Sequence, residues 1–408
     1  MIEVHPFRGL RYNPELVTAC GDVLCPPYDV IPPQEKRACM ARSPYNIVHL
    51  ELAGEARGED HYTRTARTLK EWQEKGVLVR DTDAALYLYD HHFQFQGCDH
   101  RRRGIMAAVG LGTGGIMPHE GTQAAARQDR LQLLRATRTQ ISPIFVLYDD
   151  PGGRAASVMG AVSQGPPLLE AVTQGEVHRL WRITRAETVS ALCRNLGTGP
   201  LIIADGHHRF ECAQTYRQER HPQGSGSWDF AMMVMVATDD PGLLIRPVHR
   251  MVCGLDPGWL NGLEGRLAAA FEVGAVPAEG MGPEGLLNLL GGGDIGVLGP
   301  TPGRMLLLRH GSPVALPPSP TEGGRLSVEL LHQLVLEGVP RAEITYTHEV
   351  EEVVRRLSEF QVAFLVPALS PSEVYSVART GKKLPSKSTY FHPKIPTGLV
   401  LFPVEERL

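Results

Sequence analysis

Hydrophobic and polar positions along the chain follow two periods, one typical of strands and one typical of helices. Strands are predicted at residues 47–52, 85–96, 101–111, 142–150, 178–184, 201–204, 230–240, 344–348 and 362–369. Helices with one apolar face are predicted at residues 61–75, 123–140, 187–197, 207–218, 327–336, 349–359 and 372–381. Because strands and helices are interspersed along the chain, we expect a mixed α/β (α+β) fold.

The chain is expected to form two domains. Its 408 residues exceed the size of one ordinary hydrophobic core. The composition changes after Gly254, and residues 273–325 are rich in glycine and proline, which indicates short elements joined by turns. We therefore expect an N-terminal domain at 1–254 and a C-terminal α/β domain at 255–408.

Composition and charge limit the classes of partner. Hydrophobic residues make up 42%, charged residues 21% and the formal net charge is -4, as in globular proteins that bind neither nucleic acid nor anionic membranes through charge. The longest apolar run, from Phe230, is too short to cross a bilayer. Seven scattered cysteines without a CxxC pair predict a reduced chain with no disulfide framework or zinc ribbon. With no apolar segment near its start, the protein is expected to be cytoplasmic.

The most informative stretch is LIIADGHHRFECAQTYRQ, residues 201–218. It predicts a buried strand, a tight turn at Asp205 and Gly206, and a helix that begins with His207, His208 and Arg209. Free amides of a first helical turn attract anions, so this corner is a candidate phosphate site. Alternatively, Asp205 only caps the helix and its neighbours are solvated. Four adjacent polar groups directly after an aliphatic strand favour the functional interpretation.

Other candidate groups lie in loops and in the N-terminal half. The glycines at 110, 112 and 115 match GxGxxG, but Pro118 follows instead of a helix, which excludes a dinucleotide fingerprint. We interpret this segment as a flexible loop. Further candidates are Glu51 in the N-terminal segment, His119, Glu120 and Thr122 in the glycine-rich loop, Arg130 on the outward face of a helix, and Lys387, Ser388 and Thr389 in a basic, hydroxyl-rich loop that could clamp a phosphate. For the lysines, the alternative is a solvated tail.

Nine stretches that span essentially the whole chain resemble the domain-of-unknown-function family 1015. They are PFRGLRYNPE, CPPYDVI, SPYNIVHLEL, MPHEGT, QDRLQLLRATRTQISPIF, IIADGHHRFECA, RPVHR, ITYTHEVEEVV and LPSKSTYFHPKIPTGLV. The chain departs mildly from the family pattern at Arg127, Phe210 and Cys212.

The string DGHHR also resembles the motif of the ParB and sulfiredoxin-like superfamily, which includes free-serine kinases. This resemblance implies a nucleotide-binding core in the N-terminal domain, with Asp205 to Arg209 at the phosphate. Members of family 1015 are often linked with serine biosynthesis genes, which favours phosphorylation of a hydroxyl group or hydrolysis of phosphoserine. The acidic base of the serine kinases is not carried over, and Asp29, Glu51 and Glu120 are its candidates.

The leading hypothesis is phosphoryl transfer involving a small hydroxylated metabolite such as serine, with a nucleotide or pyrophosphate as donor. Catalytic roles are assigned to Asp205, His207, His208 and Glu51, with Asp205 also a candidate ligand of Mg²⁺. Phosphate or nucleotide binding is assigned to Gly206, Arg209, His119, Glu120, Thr122, Arg130, Lys387, Ser388 and Thr389.

The rival from another class is a nucleotide-gated binding module without turnover of a small molecule. A sulfiredoxin-like reductase is disfavoured because a histidine stands where its reactive thiol is needed. A histidine-metal hydrolase is disfavoured because adjacent histidines on a helix cannot both face one ion. A homodimer is left open.

Overall fold

The chain divides into two units in the computed structural model, which describes residues 1–53, 60–112, 114–122, 124–290, 294–299, 304–309, 326–337 and 343–405. The first unit contains Met1–Pro118, Thr122–Leu244 and Pro393–Leu408, and the second contains His119–Gly121 and Ile245–His392. The division follows Leu244 rather than Gly254, because the strand at His249–Cys253 pairs within the second unit's sheet. The chain's last segment returns to the first unit, which the linear division of the sequence did not predict.

The strands of the described residues are short except in the centre of the first unit. They are β1 (Val4–His5), β2 (Leu10–Tyr12), β3 (Leu78–Arg80), β4 (Leu86–Phe95), β5 (Cys98–Gly110), β6 (Ile116–Pro118), β7 (Thr139–Gln140), β8 (Ile144–Tyr148), β9 (Leu169–Thr173), β10 (Glu176–Ile183), β11 (Leu201–Asp205), β12 (Phe230–Ala237), β13 (Leu244–Arg246), β14 (His249–Cys253), β15 (Glu272–Pro277), β16 (Ile295–Leu298), β17 (Arg304–Arg309), β18 (Glu343–Thr347), β19 (Val362–Leu365), β20 (Tyr390–His392) and β21 (Phe402–Pro403).

The α-helices of the described residues are α1 (Cys20–Val23), α2 (Pro33–Arg42), α3 (Val48–Glu51), α4 (His61–Glu74), α5 (Ala124–Thr137), α6 (Arg154–Val162), α7 (Ala186–Leu196), α8 (His207–Arg220), α9 (Pro257–Asn261), α10 (Leu263–Ala270), α11 (Pro283–Asn288), α12 (Ser327–Leu331), α13 (Val350–Arg356) and α14 (Pro371–Arg379). Together with the strands they confirm the predicted mixed α/β fold. No helix in the described ranges is both long enough and apolar enough to cross a membrane.

A mixed sheet forms the centre of the first unit. Its strand order is β6-β11-β8-β12-β5-β4-β10-β9, and β1 also pairs with β5. All eight residues of β12 are buried, which explains its uninterrupted apolar sequence. Strands β4 and β5 form the predicted hairpin, closed by Gln96 and Gly97, both with positive φ. The sheet therefore places β11 next to its parallel neighbour β6 and its antiparallel neighbour β8.

The prediction of a strand at residues 47–52 is wrong, because this segment forms the single helical turn α3. The buried side chain of Asn46 donates to the carbonyl oxygens of Asp22 and Leu24, at 2.7 and 2.9 Å, and accepts from the amide of Val48 at 3.0 Å. An asparagine that accepts from an amide two residues later favours a turn over an extended strand. The result is that Glu51 ends a helix inside the core.

The second unit contains a six-stranded sheet with the order β15-β17-β16-β19-β14-β18. The five strand pairs that give this order are all antiparallel. Strands β18 and β19 both run antiparallel to β14, so they are parallel to each other and α13 connects them around that central strand. The alternation of strands and helices predicted from the sequence is therefore present, with β14 inserted between the two connected strands. Part of the predicted glycine- and proline-rich lead-in, at 291–293, 300–303 and 310–325, lies outside the described residues.

Candidate functional site

The corner between β11 and α8 has the strand, turn and helix predicted from the sequence. Gly206 is the N-cap of α8 with φ +92°, a conformation that side chains with a Cβ rarely adopt. A glycine has no side chain to cap the helix, so no side-chain hydrogen bond closes its N-terminus. Phe210 and Ala213 are buried in the same hydrophobic cluster as residues of the sheet and hold the helix in place. The amides of the first turn consequently lie at the end of a buried strand, where an anion is favoured.

Asp205 binds two cationic side chains at this corner. Its Oδ2 accepts from Nη2 of Arg209 and its Oδ1 accepts from Nζ of Lys394. These three side chains are only 11–12% exposed. Burial by itself would raise the pKa of Asp205, but the charges of Lys394 and Arg209 outweigh burial and hold the pKa well below its usual range. Asp205 is therefore ionised and fixes both cations beside the helix N-terminus.

The two histidines of the motif occupy the first turn of α8 and are both partly exposed. Nδ1 of His208 lies 3.4 Å from the hydroxyl oxygen of Tyr28. Burial raises the pKa of Tyr28, with the neighbouring Asp29 adding to the effect, so this phenol keeps its proton. Nδ1–H of His208 can donate to the oxygen of this neutral phenol, which orients the imidazole ring and leaves Nε2 able to accept a proton. The sequence offered only a weak signal for Tyr28, its place in the rigid CPPYD segment.

A cavity of about 50 Å³ lies beside Arg209 within the first unit. Its charged lining consists of Glu51, Arg130 and Arg209. Nη1 of Arg209 donates to the carbonyl oxygen of Pro143, whereas its Nε is buried and has no hydrogen-bond partner among the described residues. A buried donor without a partner costs about 1–3 kcal/mol, so a ligand or water oxygen in this cavity would be stabilising.

Glu51 and Arg130, which both line the cavity, are close to each other. Glu51 is 2% exposed, and its Oε1 accepts from the hydroxyl of Ser142 at 3.0 Å and lies 3.6 Å from Nη1 of Arg130. Arg130 was predicted on the outward face of its helix but is 8% exposed. Nη1 of Arg130 donates to the backbone oxygen of Glu51 at 3.0 Å, and its Nε donates to Oδ2 of Asp129 at 2.7 Å. Its guanidinium also lies 4.3 Å from the ring centre of Tyr28. The structure thus brings Glu51, Arg130 and Arg209 together, which their separation in sequence did not indicate.

The candidates of the glycine-rich and basic loops form a separate cluster in the second unit. The carboxylate of Glu120 accepts from the amides of Lys387, Ser388 and Thr389 at 3.2, 3.1 and 3.1 Å, and from the hydroxyl of Thr389 at 3.0 Å. Nε2 of His119 lies 2.9 Å from the same hydroxyl oxygen. The amides of this loop and the hydroxyl of Thr389 therefore bind a carboxylate of this chain.

Thr122 belongs to the first unit, and among the described residues its hydroxyl does not bind Asp205 or the first turn of α8. Its hydroxyl donates to Oε2 of Glu211 at 2.6 Å, and Arg127 donates to the same oxygen at 2.8 Å. These contacts join the start of α5 to α8. Their role is consistent with helix packing.

Lys394 belongs to the basic, hydroxyl-rich segment that the sequence marked as a possible phosphate clamp, but Lys387 was the lysine of that segment assigned to the site. The ammonium of Lys394 reaches Asp205 because Pro393–Leu408 belongs to the first unit, and Leu401 there exchanges backbone hydrogen bonds with Leu10. The available signal was its place between prolines in HPKIP, a segment too rigid for a solvated tail.

All seven cysteines are free thiols in the structure. Cys212 lines the cavity beside Arg209. Burial raises its pKa to about 12, which keeps the thiol protonated and a poor nucleophile.

Comparisons with known proteins give one family and several solved structures. The model of the family "Protein of unknown function (DUF1015)" matches residues 4–328. No curated protein matches the chain. Similar solved structures include a conserved hypothetical protein from Pyrococcus furiosus (14% identity, 72% of this chain and 95% of that chain, TM-score 0.38) and a free serine kinase in complex with AMP (15% identity, 72% and 92%, TM-score 0.38). SbnI with a C-terminal truncation from Staphylococcus aureus is also similar (11% identity, 72% and 85%, TM-score 0.40). At these TM-scores no function is transferred to this chain.

Proposed function

We propose that this chain, which belongs to the DUF1015 family, binds the phosphate groups of a nucleotide or pyrophosphate at the N-terminus of α8 and catalyses phosphoryl transfer involving a small hydroxylated metabolite such as serine. The observation that carries the proposal is the helix N-terminus without a side-chain cap, flanked by two cations that an ionised Asp205 holds in place. The DGHHR resemblance described above points to the same residues.

Charge at the corner favours a polyanion. Lys394 and Arg209 contribute two positive charges and Asp205 one negative charge, which leaves a net charge of +1 before either histidine is counted. The dipole of a helix adds the equivalent of roughly half a positive charge at its N-terminus. Phosphoryl transfer depends mainly on positioning and on stabilising charge at the phosphate oxygens, and preorganised cations supply both.

In the proposed step, the hydroxyl oxygen of the metabolite forms a bond to the terminal phosphorus of the donor. The bond from that phosphorus to the bridging oxygen breaks, and its electron pair leaves with the remaining phosphate group. His208 accepts the hydroxyl proton, with Tyr28 orienting its ring. Glu51 lines the cavity beside Arg209 and is assigned to the metabolite. In the alternative hydrolysis of phosphoserine, a water oxygen forms the bond to the phosphorus and the bond from that phosphorus to the serine oxygen breaks. His208 accepts a proton from the water and returns it to the leaving serine oxygen.

Asp205 is poorly suited to bind Mg²⁺. Both of its oxygens already accept hydrogen bonds from cationic side chains, so a divalent ion there would face two positive charges at close range. The proposal therefore assigns Asp205 to positioning Lys394 and Arg209, and no step uses a metal bound to it.

The test is to incubate the full chain with Mg²⁺, serine or phosphoserine, and ATP, ADP or pyrophosphate, and to follow phosphorus species by NMR. We expect turnover with at least one donor, and loss of turnover in His208→Asn. Lys394→Met should weaken donor binding by about 10–100-fold, because a hydrogen bond to a charged group contributes about 1.5–3 kcal/mol. Lys383→Met removes the same charge from an exposed position and should leave binding unchanged.

Thermal unfolding of each variant separates loss of function from loss of fold. Donor binding that depends on Lys394 but gives no turnover in either direction would replace the enzyme with the nucleotide-gated binding module. Equal donor binding by folded Lys394→Met and the parent protein would overturn the phosphate site itself.

A further inference from the structure

Three side chains of types that can bind metals lie together on one face of the first unit's sheet, on strands that do not contribute to the β11–α8 corner. His91 on β4 and His178 on β10 are directly opposite each other in the antiparallel pair. Glu176 lies two residues before His178 on β10. Opposite residues share a face, as do residues two apart on one strand, so all three side chains lie on the same face.

The side chains are close enough to share one ion. One ligand atom from each of His91, Glu176 and His178 can be chosen so that all lie within 4.8 Å of one another. Nε2 of His91 lies 2.8 Å from Oε2 of Glu176, and Nε2 of His178 lies 3.8 Å from the same oxygen. Ligands of a tetrahedral ion with bonds of about 2.0 Å are roughly 3.3 Å apart, so small side-chain shifts would complete the geometry.

His178 supplies the second, independent observation. Its Nδ1 lies 2.9 Å from the hydroxyl oxygen of Tyr89, whereas its Nε2 is buried and has no hydrogen-bond partner among the described residues. The whole residue is 1% exposed. A histidine that ligates a metal holds a neighbouring group with one ring nitrogen and the ion with the other, and His178 has Tyr89 at Nδ1 and no hydrogen-bond partner at Nε2 among the described residues. A ligand at Nε2 would remove the cost of burying an unpaired nitrogen.

We propose that His91, Glu176 and His178 bind a divalent transition-metal ion of the Zn²⁺ class, with water completing the coordination. Two imidazole nitrogens and one carboxylate oxygen are a ligand set suited to Zn²⁺ or Co²⁺. Ca²⁺ and Mg²⁺ prefer oxygen ligands and fit it poorly. The ion would join β4 to the first residue of β10, and the proposal does not depend on the proposed phosphoryl transfer.

Arg102 is the charged neighbour that limits the affinity of this site. Its Nη2 lies 3.2 Å from Nδ1 of His91 and also donates to the carbonyl oxygen of Pro393 at 2.7 Å. Because a guanidinium only donates, Nδ1 of His91 accepts here and the proton of His91 is on Nε2. Binding of a metal ion at Nε2 would move that proton to Nδ1. Arg102 would then lose its contact with His91 and keep its hydrogen bond to the carbonyl oxygen of Pro393. This rearrangement and the nearby positive charge make the site weaker than one without the arginine.

The experiment uses the full chain, treated with EDTA and desalted, and titrated with Co²⁺ and then Zn²⁺. We expect one equivalent of Co²⁺ to give the visible absorption of a low-symmetry four- or five-coordinate ion, Zn²⁺ to displace it, and either ion to raise the unfolding temperature. His178→Ala and Glu176→Gln should each weaken binding at least tenfold. Glu176 is partly exposed, so its variant tests the site even if the buried histidine variant fails to fold.

His92→Ala is the matched control, because His92 is adjacent to His91 but on the opposite face of β4 and is partly exposed. It should bind the ion as the parent does. Absence of one-equivalent binding by the parent protein, or unchanged binding by folded Glu176→Gln, would overturn the proposed site.

Discussion

Replacement of Lys394 by methionine tests the ion pairs that organise the corner. Met has a similar length to Lys but no charge, so Asp205 keeps Arg209 and loses one of its two cationic partners. Breaking a buried pair costs about 3–5 kcal/mol when the remaining charge has no other partner. Because Arg209 still binds Asp205 in the variant, we expect a smaller loss of about 2 kcal/mol in the free energy of unfolding at neutral pH.

The pH dependence identifies the source of that loss. The pKa of Asp205 is lower in the folded protein than its unfolded value of about 3.9, so its ion pairs stabilise the fold fully above that pH. Their contribution disappears as the pH falls through the folded-state pKa. In Lys394→Met, Arg209 alone lowers the pKa less, so the stabilities of variant and parent should converge as the pH falls below about 4.

The assay is urea unfolding, followed by circular dichroism, at a series of pH values from neutral to acid. Lys383→Met, at an exposed position, should stay within about 0.5 kcal/mol of the parent throughout. A difference between Lys394→Met and the parent that stays constant down to the lowest pH would show that the lysine acts through packing rather than through Asp205.

Three further predictions concern backbone conformation, a buried histidine and a buried amide. Gly206→Ala places a Cβ at φ +92°, 3.0 Å from Nε of Arg209, and should cost about 1–2 kcal/mol in urea unfolding and weaken donor binding measured by calorimetry. Burial lowers the pKa of His249 to about 4, so the free energy of unfolding should fall by about 3 kcal/mol in total between pH 6.5 and pH 4. His249→Asn should remove this loss in urea unfolding followed over that pH range. An unchanged slope in folded His249→Asn would contradict this assignment. Asn46→Ala removes three buried hydrogen bonds and should lower the unfolding free energy by about 2–4 kcal/mol, whereas a loss below about 0.5 kcal/mol would show that α3 does not depend on the amide.

Short-range patterns in the sequence determined the central element correctly. The apolar run Leu201–Ala204, the glycine at 206 and the helical spacing of Phe210, Ala213 and Tyr216 specify strand, turn and helix through neighbours a few residues apart. The β4–β5 hairpin and α4, which Asp60 caps by accepting two backbone amides, follow from equally local signals. Side-chain periodicity and turn chemistry act within one or two turns of chain, so one sequence suffices to identify them.

Local signals failed where a distant segment decided the structure. The alternation at Ile47–Leu52 favoured a strand, but the buried contacts of Asn46 with Asp22 and Leu24 hold a helical turn there. The outward position predicted for Arg130 was wrong because Glu51, 79 residues away in sequence, accepts a hydrogen bond from it through its backbone oxygen. Both outcomes depend on long-range burial of polar groups, which periodicity does not encode.

The sequence by itself determined which residue types stand at the β11–α8 corner and that the corner should attract an anion. Only the tertiary structure decided that Lys394 and Arg209 share the carboxylate of Asp205, and that Glu120 binds the amides of the Lys387–Thr389 loop. It likewise aligned His91 with His178 across two strands. The physical reason is that charge pairing and strand register depend on distances in space between groups far apart in the chain, which are fixed only when the core forms.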